Sequence, residues 1–333
     1  MAPHVPAYST YDFVYKTVSN LDLRITFFLP ETPSSSPQPV CLYFHGGGLF
    51  TGTRFSWIPE WLKNDCLTRG YGLATAGYRL LPQVSGHEIV DDIVDAYAFV
   101  YTKANELLPS KAIDTDRIFV AGNSSGGYCA AIAGAQASPR PKAVISVYGM
   151  VDIQSEWWNT PHPDDLIIEG RTRAPGYETR FVDVFESDMV ETEVEVYDDP
   201  EWLPSTKAEE LQYNRRFMLD ESIRKGNFGS ILTHERCLSA MLAKGEPVPK
   251  KHQRVCPFFG VDRDYPPTAI IHGTDDTLVP LSASEGFEKV LKESDVKYVF
   301  LTAPGEHGFD GQPSEEVYEK VLKKAMQFVD EVL

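Results

Sequence analysis

An apolar strand that runs into Gly-x-Ser-x-Gly and then straight into a helix leaves a backbone few ways to fold, and residues 120–127, Val-Ala-Gly-Asn-Ser-Ser-Gly-Gly, have that form. The turn puts Ser124 at its apex, and Gly122 and Gly126 allow the chain the tight approach such a turn needs. A serine hydroxyl is a poor nucleophile at neutral pH, so a fold that uses one must lift it clear of the backbone and set a base beside it. By itself the pattern is weak, because Gly and Ser are common and a Gly-Ser run is usually a plain turn. Three further segments give it weight.

Upstream, residues 40–48 read Val-Cys-Leu-Tyr-Phe-His-Gly-Gly-Gly, an apolar run that ends in three glycines after His45. Acyl transfer builds negative charge on a carbonyl oxygen, and backbone N–H groups aimed at that charge are each worth about 3–4 kcal/mol. Gly46, Gly47 and Gly48 would supply two such donors, and Ser125, which follows the nucleophile, a third. A phosphate-binding loop is disfavoured, since no Gly-x-Gly-x-x-Gly spacing follows the strand and no Lys-Ser or Lys-Thr pair ends the run. Near the C-terminus, residues 267–276 form a short strand ending in two acids, Asp275 and Asp276. Residues 297–301 form another, followed by Ala-Pro-Gly-Glu-His-Gly-Phe, which sets His307 on a glycine-flanked turn as a general base. The chain order of serine, acid and histidine is that of α/β-hydrolases and differs from both trypsin-like and subtilisin-like orders.

Strand and helix patterns alternate from Val40 onward: strand 40–45, helix 57–68, strand 71–77, helix 87–105, strand 117–121, helix 125–136 and strand 142–149. An edge hairpin precedes them, from Tyr11 to Tyr15 and Leu21 to Leu29. Such alternation predicts a mostly parallel central sheet flanked by helices, with ligand sites beyond the carboxyl ends of the strands. All four motifs fall there. The alternation fails after Asp152, and a helical cap insert over 153–261 is expected, with 1–152 and 262–333 forming the core. Helical patterns run from Thr206 to Met218 and Ile231 to Leu242, after an acidic run from Glu191 to Glu201. A lid of this kind would exclude water from the reacting centre while admitting substrate. Its aromatics Trp157, Trp158, Tyr213, Phe217 and Phe228 are candidates for the substrate pocket, although packing is the commoner fate of any one large aromatic.

With these residues in hand the chain resembles the hormone-sensitive-lipase-like branch of the α/β-hydrolases, the microbial, fungal and plant carboxylesterase type. Gly77-Tyr-Arg-Leu-Leu-Pro82 is similar to the family's Tyr-Arg-Leu-Ala-Pro box, and Asp91–Asp95 and Asp114–Ile118 resemble the segments that lead into the elbow. The resemblance spans residues from about 40 to 310 apart from the insert. It implies the α/β-hydrolase fold with a cap and a serine esterase without cofactor, and it selects Asp276, through the His-Gly-x-x-Asp pattern from His272, as the acid that orients His307. The catalytic set it implies is Ser124, Asp276 and His307. Two departures stand out, because the family usually carries Gly-Asp-Ser-Ala-Gly-Gly where this chain has Asn123 and Ser125.

Composition narrows the partners. The net charge is 31 − 48 = −17, so a nucleic-acid partner is not expected, and solubility is the simple explanation of the charge. Five cysteines, at 41, 66, 129, 237 and 256, show no Cys-x-x-Cys spacing, and no histidine set has metal-ligand spacing, so neither zinc nor another cofactor is expected. His45 and His272 read as structural hydrogen-bonding residues, and His4, His87, His162, His234 and His252 have no partner motif. No basic segment followed by an apolar run opens the chain, and no run of about 18 apolar residues occurs, which leads to the expectation of a cytoplasmic protein off the membrane. An exposed edge strand near the C-terminal helix would permit a homodimer. A small-molecule ester is the expected substrate. The same triad could serve an amide, a lactone or a thioester, for example in releasing a secondary-metabolite intermediate. A ligand receptor on this fold, as in the plant gibberellin receptors that resemble the family, tends to lose the histidine that is present here at 307. A prolyl-oligopeptidase-like peptidase would need a large N-terminal propeller, whereas 44 residues precede His45.

Overall fold

The computed structural model describes residues 6–31, 36–109, 112–163, 165–168, 215 and 218–333. Eight strands form one sheet: β1 (Tyr8–Val18), β2 (Leu21–Pro30), β3 (Gln38–Phe44), β4 (Gly72–Ala76), β5 (Ile113–Asn123), β6 (Val144–Val147), β7 (Thr268–Gly273) and β8 (Tyr298–Ala303). Their spatial order is β1-β2-β4-β3-β5-β6-β7-β8. The β1–β2 hairpin is antiparallel and meets β4 antiparallel, and every pairing from β4 through β8 is parallel. The expected mostly parallel sheet is therefore present, with the hairpin on one edge.

The period-two alternation of each central strand divides the core between the two faces of the sheet. Val40, Leu42 and Phe44 of β3, Ile118 and Val120 of β5 and Ile270 of β7 join one apolar cluster. Cys41 and Tyr43, Phe119 and Ala121, and Ala269 and Ile271 join the other. The first face is covered by α2 (Gly86–Thr102), α3 (Ser125–Gln136) and α4 (Leu281–Glu293), and the second by α1 (Glu60–Thr68) and the C-terminal α5 (Lys323–Asp330) with the helical turns leading into it. In α2 the apolar stripe Ile89, Val90, Ile93, Ala96, Tyr97 and Val100 keeps helical spacing, and a capping box starts the helix, the Ser85 amide donating to Glu88 at 2.7 Å. In α3 alanines and glycines let the helix lie close to the sheet, with Gly134 against the Tyr265 ring.

Some expected boundaries move for local reasons. The first helix begins at Glu60, because Trp57 has φ 51° and Pro59 precedes the helix. Strand β6 ends at Val147, where Tyr148 turns the chain at φ 38°. The helix over 87–105 is two pieces, 86–102 and 104–107. Between β6 and β7 no strand occurs among the described residues, apart from an isolated bridge at Ile168. There the helix anticipated over Ile231–Leu242 is split into Phe228–Thr233 and Leu238–Leu242, because His234 adopts the left-handed conformation and its ring nitrogen bonds the Pro82 carbonyl at 3.0 Å. The acidic run 191–201, most of the pattern 206–218, and Tyr213 and Phe217 lie outside the described residues.

One buried charge cluster ties the sheet edge to the helices. Asp92 of α2 accepts from Arg79 Nε at 2.7 Å, Arg79 Nη2 at 2.9 Å, the Arg79 amide at 3.1 Å and Lys16 Nζ at 2.7 Å. The 77–82 box thus has a structural role: Arg79 holds α2, while Tyr78 supports the glycine loop described next.

Candidate active site

The carboxyl ends of β3, β5, β6, β7 and β8 converge on one region. Ser124, the residue after β5, sits at φ 55° and ψ −122°, a conformation uncommon for a side chain larger than hydrogen. Its own amide donates to the Val147 carbonyl at 2.9 Å, and its carbonyl accepts from Gly127 at 3.0 Å and Met150 at 3.1 Å. Helix α3 starts at the next residue, so the positive end of a 12-residue helix lies beside the hydroxyl. The turn is possible only with glycines around it. A Cβ on Gly122 would lie 2.1 Å from the Gly126 carbonyl oxygen, and one on Gly126 would lie 2.0 Å from the Phe44 oxygen at the end of β3.

The glycine loop after β3 packs directly on this turn. A Cβ built on Gly46 would stand 3.3 Å from Ser124 Cβ. Gly47 and Gly48 have φ 108° and 67°, which turns their amides away from the strand direction, and no amide of Gly46, Gly47 or Gly48 donates a hydrogen bond among the described residues. The Gly47 carbonyl instead accepts from Phe50 and Thr51, each at 3.1 Å, which closes the loop on itself. His45 underpins it: its Nδ1 bonds the Gly46 carbonyl at 2.7 Å, and its ring stacks on Tyr78 at 4.3 Å and 7°. Tyr78 in turn donates to the His45 carbonyl at 2.8 Å. Burial pushes the His45 imidazole down to about 4, so it is neutral near pH 7. From the far side, Arg215 Nη1 donates to the Phe50 and Leu81 carbonyls at 2.9 and 3.0 Å.

Asp276 and His307 meet across the ends of β7 and β8. Asp276 Oδ2 is 2.7 Å from His307 Nδ1, and Asp276 Oδ1 accepts the amides of Leu278 and Val279, each at 2.9 Å. Burial works against the charge on Asp276, yet the bonds from His272 and His307 outweigh it and hold the carboxyl well below the usual range. His272 lies 3.4 Å from Asp276, bonds the Val279 carbonyl at 3.0 Å through Nε2, and receives Ser284 Oγ at 2.7 Å on Nδ1. The adjacent Asp275 takes a different part: its Oδ2 accepts the Gly305 amide at 2.8 Å, fixing the turn that carries His307. Because an ionised carboxylate can only accept, the neutral ring of His307 would carry its proton on Nδ1 and leave Nε2 as an acceptor.

The cap aromatics divide. Trp158 and Phe228 are fully buried, in ring contact at 5.2 Å, within the same apolar cluster as the core. Trp157 is half-buried, donates to the Leu278 carbonyl at 3.0 Å and packs on His162. Under the site lies a polar group of which the sequence reading singles out only Asn123, as a departure from the family's Asp. Asn123 Oδ1 lies 2.8 Å from the Tyr43 hydroxyl, and Asn123 Nδ2 donates to the Trp57 carbonyl at 3.3 Å. Tyr148, with its ring 4.5 Å from the His307 ring, bonds Asp310, which also accepts from Trp61 Nε1 at 2.8 Å. Of the others, Tyr43 lies within the 40–48 segment and Asp310 in the Gly-Phe-Asp-Gly stretch after His307, and neither is singled out there. Among the described residues no group of three or more His, Cys, Asp or Glu is arranged to hold a metal ion, and no helix is long and apolar enough to cross a membrane.

A doubly flanked parallel sheet, a strained serine turn after its central strand and a histidine–carboxylate pair on two neighbouring loops together define a hydrolase-fold protein. The family model for the alpha/beta hydrolase fold matches residues 41–212, more than half of the chain, and a model of the prolyl oligopeptidase family matches the C-terminal part alone, residues 232–333. The chain belongs to the α/β-hydrolase family, in its hormone-sensitive-lipase-like branch. It is 29% identical over 340 residues to the non-reducing polyketide synthase Preu6 of Preussia isomera, a match that covers 95% of this chain and 14% of the synthase. The chain thus spans about a seventh of that relative's length. It is 26% identical over 318 residues to the probable carboxylesterase M8 of a Phoma species, covering 90% of this chain and 89% of the relative. Among solved structures, an esterase from Thermogutta terrifontis with butyrate bound superposes with a TM-score of 0.59 at 20% identity, covering 99% of this chain and 96% of the other, which is a likeness of fold.

Proposed function

We propose that this chain is a serine carboxylesterase that hydrolyses small to medium carboxylic esters through an acyl-enzyme. The reading is carried by one observation: the 2.7 Å bond from His307 to a buried Asp276 at the carboxyl ends of β7 and β8, in the same sheet whose strand β5 ends at a serine held at φ 55°. In this reading Asp276 fixes the Nδ1–H tautomer, and His307 Nε2 takes the proton of Ser124 as its oxygen attacks the ester carbonyl. The negative oxygen of the tetrahedral intermediate is received by the amides of the 46–48 loop and of Ser125. His307 then gives its proton to the leaving alcohol. Water, activated by the same nitrogen, attacks the acyl group and restores Ser124. The segment 153–261 serves as a lid, with Arg215 holding it to the glycine loop, and among the described candidate aromatics Trp157, the one that is not fully buried, is offered for substrate contact.

Similarity over nearly the whole chain to part of a polyketide synthase favours a second reading, in which the same residues cleave a thioester or lactone of a polyketide-derived acyl group. Matched acetyl and butyryl esters, thioesters and amides separate the two readings by kcat/KM. Ser124→Ala and His307→Ala are expected to lose turnover of an activated ester by about 10³-fold or more while folding survives. Retained turnover in either variant removes the assignment.

A further inference from the structure

We propose that Asp310 is a positioning residue for His307: through Tyr148, its buried carboxylate fixes the loop of the base and places a second negative charge, beyond Asp276, beneath the imidazole. The inference rests on the serine-hydrolase reading above and extends it to a group outside the triad.

Asp310 is only 2% exposed, and its described partners are neutral donors, the Tyr148 hydroxyl and the Trp61 indole N–H at 2.8 Å. No Lys, Arg or His forms an ion pair with it among the described residues. A buried carboxylate without a cation is a poor source of stability, since desolvating the charge costs more than two neutral hydrogen bonds return. A fold that needed only those two bonds could take them from an uncharged side chain. The charge therefore calls for a use, and its surroundings indicate one.

Tyr148 links the end of β5, strand β7 and the loop of His307. Its amide donates to the Ile271 carbonyl of β7 at 2.6 Å, and the preceding Val147 carbonyl receives the amide of Ser124. Its ring lies 4.5 Å from the His307 ring at 53°. Its hydroxyl bonds Asp310, three residues beyond His307, and receives the side-chain Nδ2 of Asn123 at a long 3.5 Å. A tyrosine at φ 38° is strained, and the conformation persists because these contacts over-determine it. Burial, reinforced by the charge of Asp310, pushes the phenol far above its ordinary range, so Tyr148 keeps its proton and remains a donor. The groups around His307 are then Asp276, with His272 behind it, Tyr148, Asp310 through Tyr148, and Glu306, which is engaged with Thr277 at 3.2 Å. Tyr43 feels the same Asp310 charge from β3 and is held protonated by burial.

Asn123 fits this arrangement. The family resemblance leads one to expect Asp there, but a carboxylate would lose the donor that holds the Trp57 carbonyl and would set a second unpaired charge in the same buried network. With Asn at 123, the network holds one charge, and it lies on the loop that carries the base.

The test is the rate at which a fluorophosphonate labels Ser124, measured against pH in the full chain, with the modified residue identified by mass spectrometry. Labelling needs neutral His307, so the midpoint of its acid limb reads the basicity of that ring. Asp310→Asn keeps the shape and removes the charge; its midpoint is expected to fall by about half a pH unit or more, and its plateau rate on the order of tenfold. Tyr148→Phe is expected to lower the plateau similarly, with KM for a short ester unchanged, and the double variant to be no worse than the weaker single. A folded Asp310→Asn with the wild-type midpoint overturns the proposal. Should that variant fail to fold, a wild-type plateau in Tyr148→Phe overturns it instead. A wild-type protein that is not labelled at Ser124 sinks the hydrolase reading, which is a separate result.

Discussion

Adding one methyl group at Gly126 tests whether the close approach of the serine turn to β3 sets the geometry of the proposed oxyanion donors. The Cβ of Gly126→Ala would lie 2.0 Å from the Phe44 oxygen and 2.8 Å from the His45 oxygen, where real Cβ atoms essentially never come closer than 3.0 Å. The turn must therefore move from the strand end by at least 3.0 − 2.0 = 1.0 Å, and because both neighbours are backbone, no side chain can rotate to relieve the clash. The displacement separates Ser125, one residue before the change, from the 46–48 loop, which begins two residues after Phe44. A shift of that size typically costs about 10²-fold in rate, and overpacking costs about 1–3 kcal/mol of stability. Gly70→Ala is the control: nothing lies within 4 Å of its Cβ, but its φ of 74° is left-handed. That variant should lose about 1 kcal/mol of stability and keep its turnover. Steady-state hydrolysis of a short activated ester, together with thermal unfolding, reads both effects. Turnover in Gly126→Ala within about twofold of wild type would refute the argument.

Two further outcomes follow from buried ionisable groups. His45 is fully buried, with its imidazole held to about 4 against an unperturbed 6.5. The depressed value means that the unfolded chain takes up a proton first, so stability present above pH 6.5 is lost as pH falls from 6.5 toward 4; the 2.5-unit difference corresponds to about 3 kcal/mol. Nuclear magnetic resonance titration of the His45 ring should show no protonation down to pH 5, and a midpoint near 6.5 would defeat the linkage. Asp92→Asn should cost about 3–5 kcal/mol in urea unfolding, because it leaves Arg79 without its buried anion, while Lys16 keeps Asp95 at 2.7 Å. Glu316→Gln, which removes the exposed pair with Lys320, should leave the unfolding midpoint unmoved, so equal losses in the two variants would show that burial is not what matters.

What the chain discloses in its order of residues depends on whether a site is built from neighbours along the backbone. The serine turn, the glycine loop and the histidine turn are each a few consecutive residues whose backbone demands specific types: Gly122 and Gly126 because another backbone lies within 2.1 Å of where their Cβ would be, and Gly47 and Gly48 because their φ is positive. Such demands leave a local signature, and the central strands were legible as apolar runs, since they are buried on both faces, although ends such as that of β6 at Val147 were not. The acid was harder, since Asp275 and Asp276 are adjacent and only the fold assigns one to Gly305 and the other to His307. Tyr148 carried no signal at all, because its neighbours Asn123, Ile271, His307 and Asp310 come from three separate stretches and a buried tyrosine after a strand looks like core. The break at His234 was equally hidden, as its left-handed turn is held by the distant Pro82 carbonyl. The cap differs from all of these in kind. Its large aromatics satisfy the same apolar pattern whether they pack or receive a ligand, and for Trp158 and Phe228 the choice is made by tertiary neighbours, which enclose both rings completely. On the proposed function, substrate preference is encoded in the part of the chain where local pattern constrains least, while the proposed reacting groups are encoded where backbone sterics constrain most.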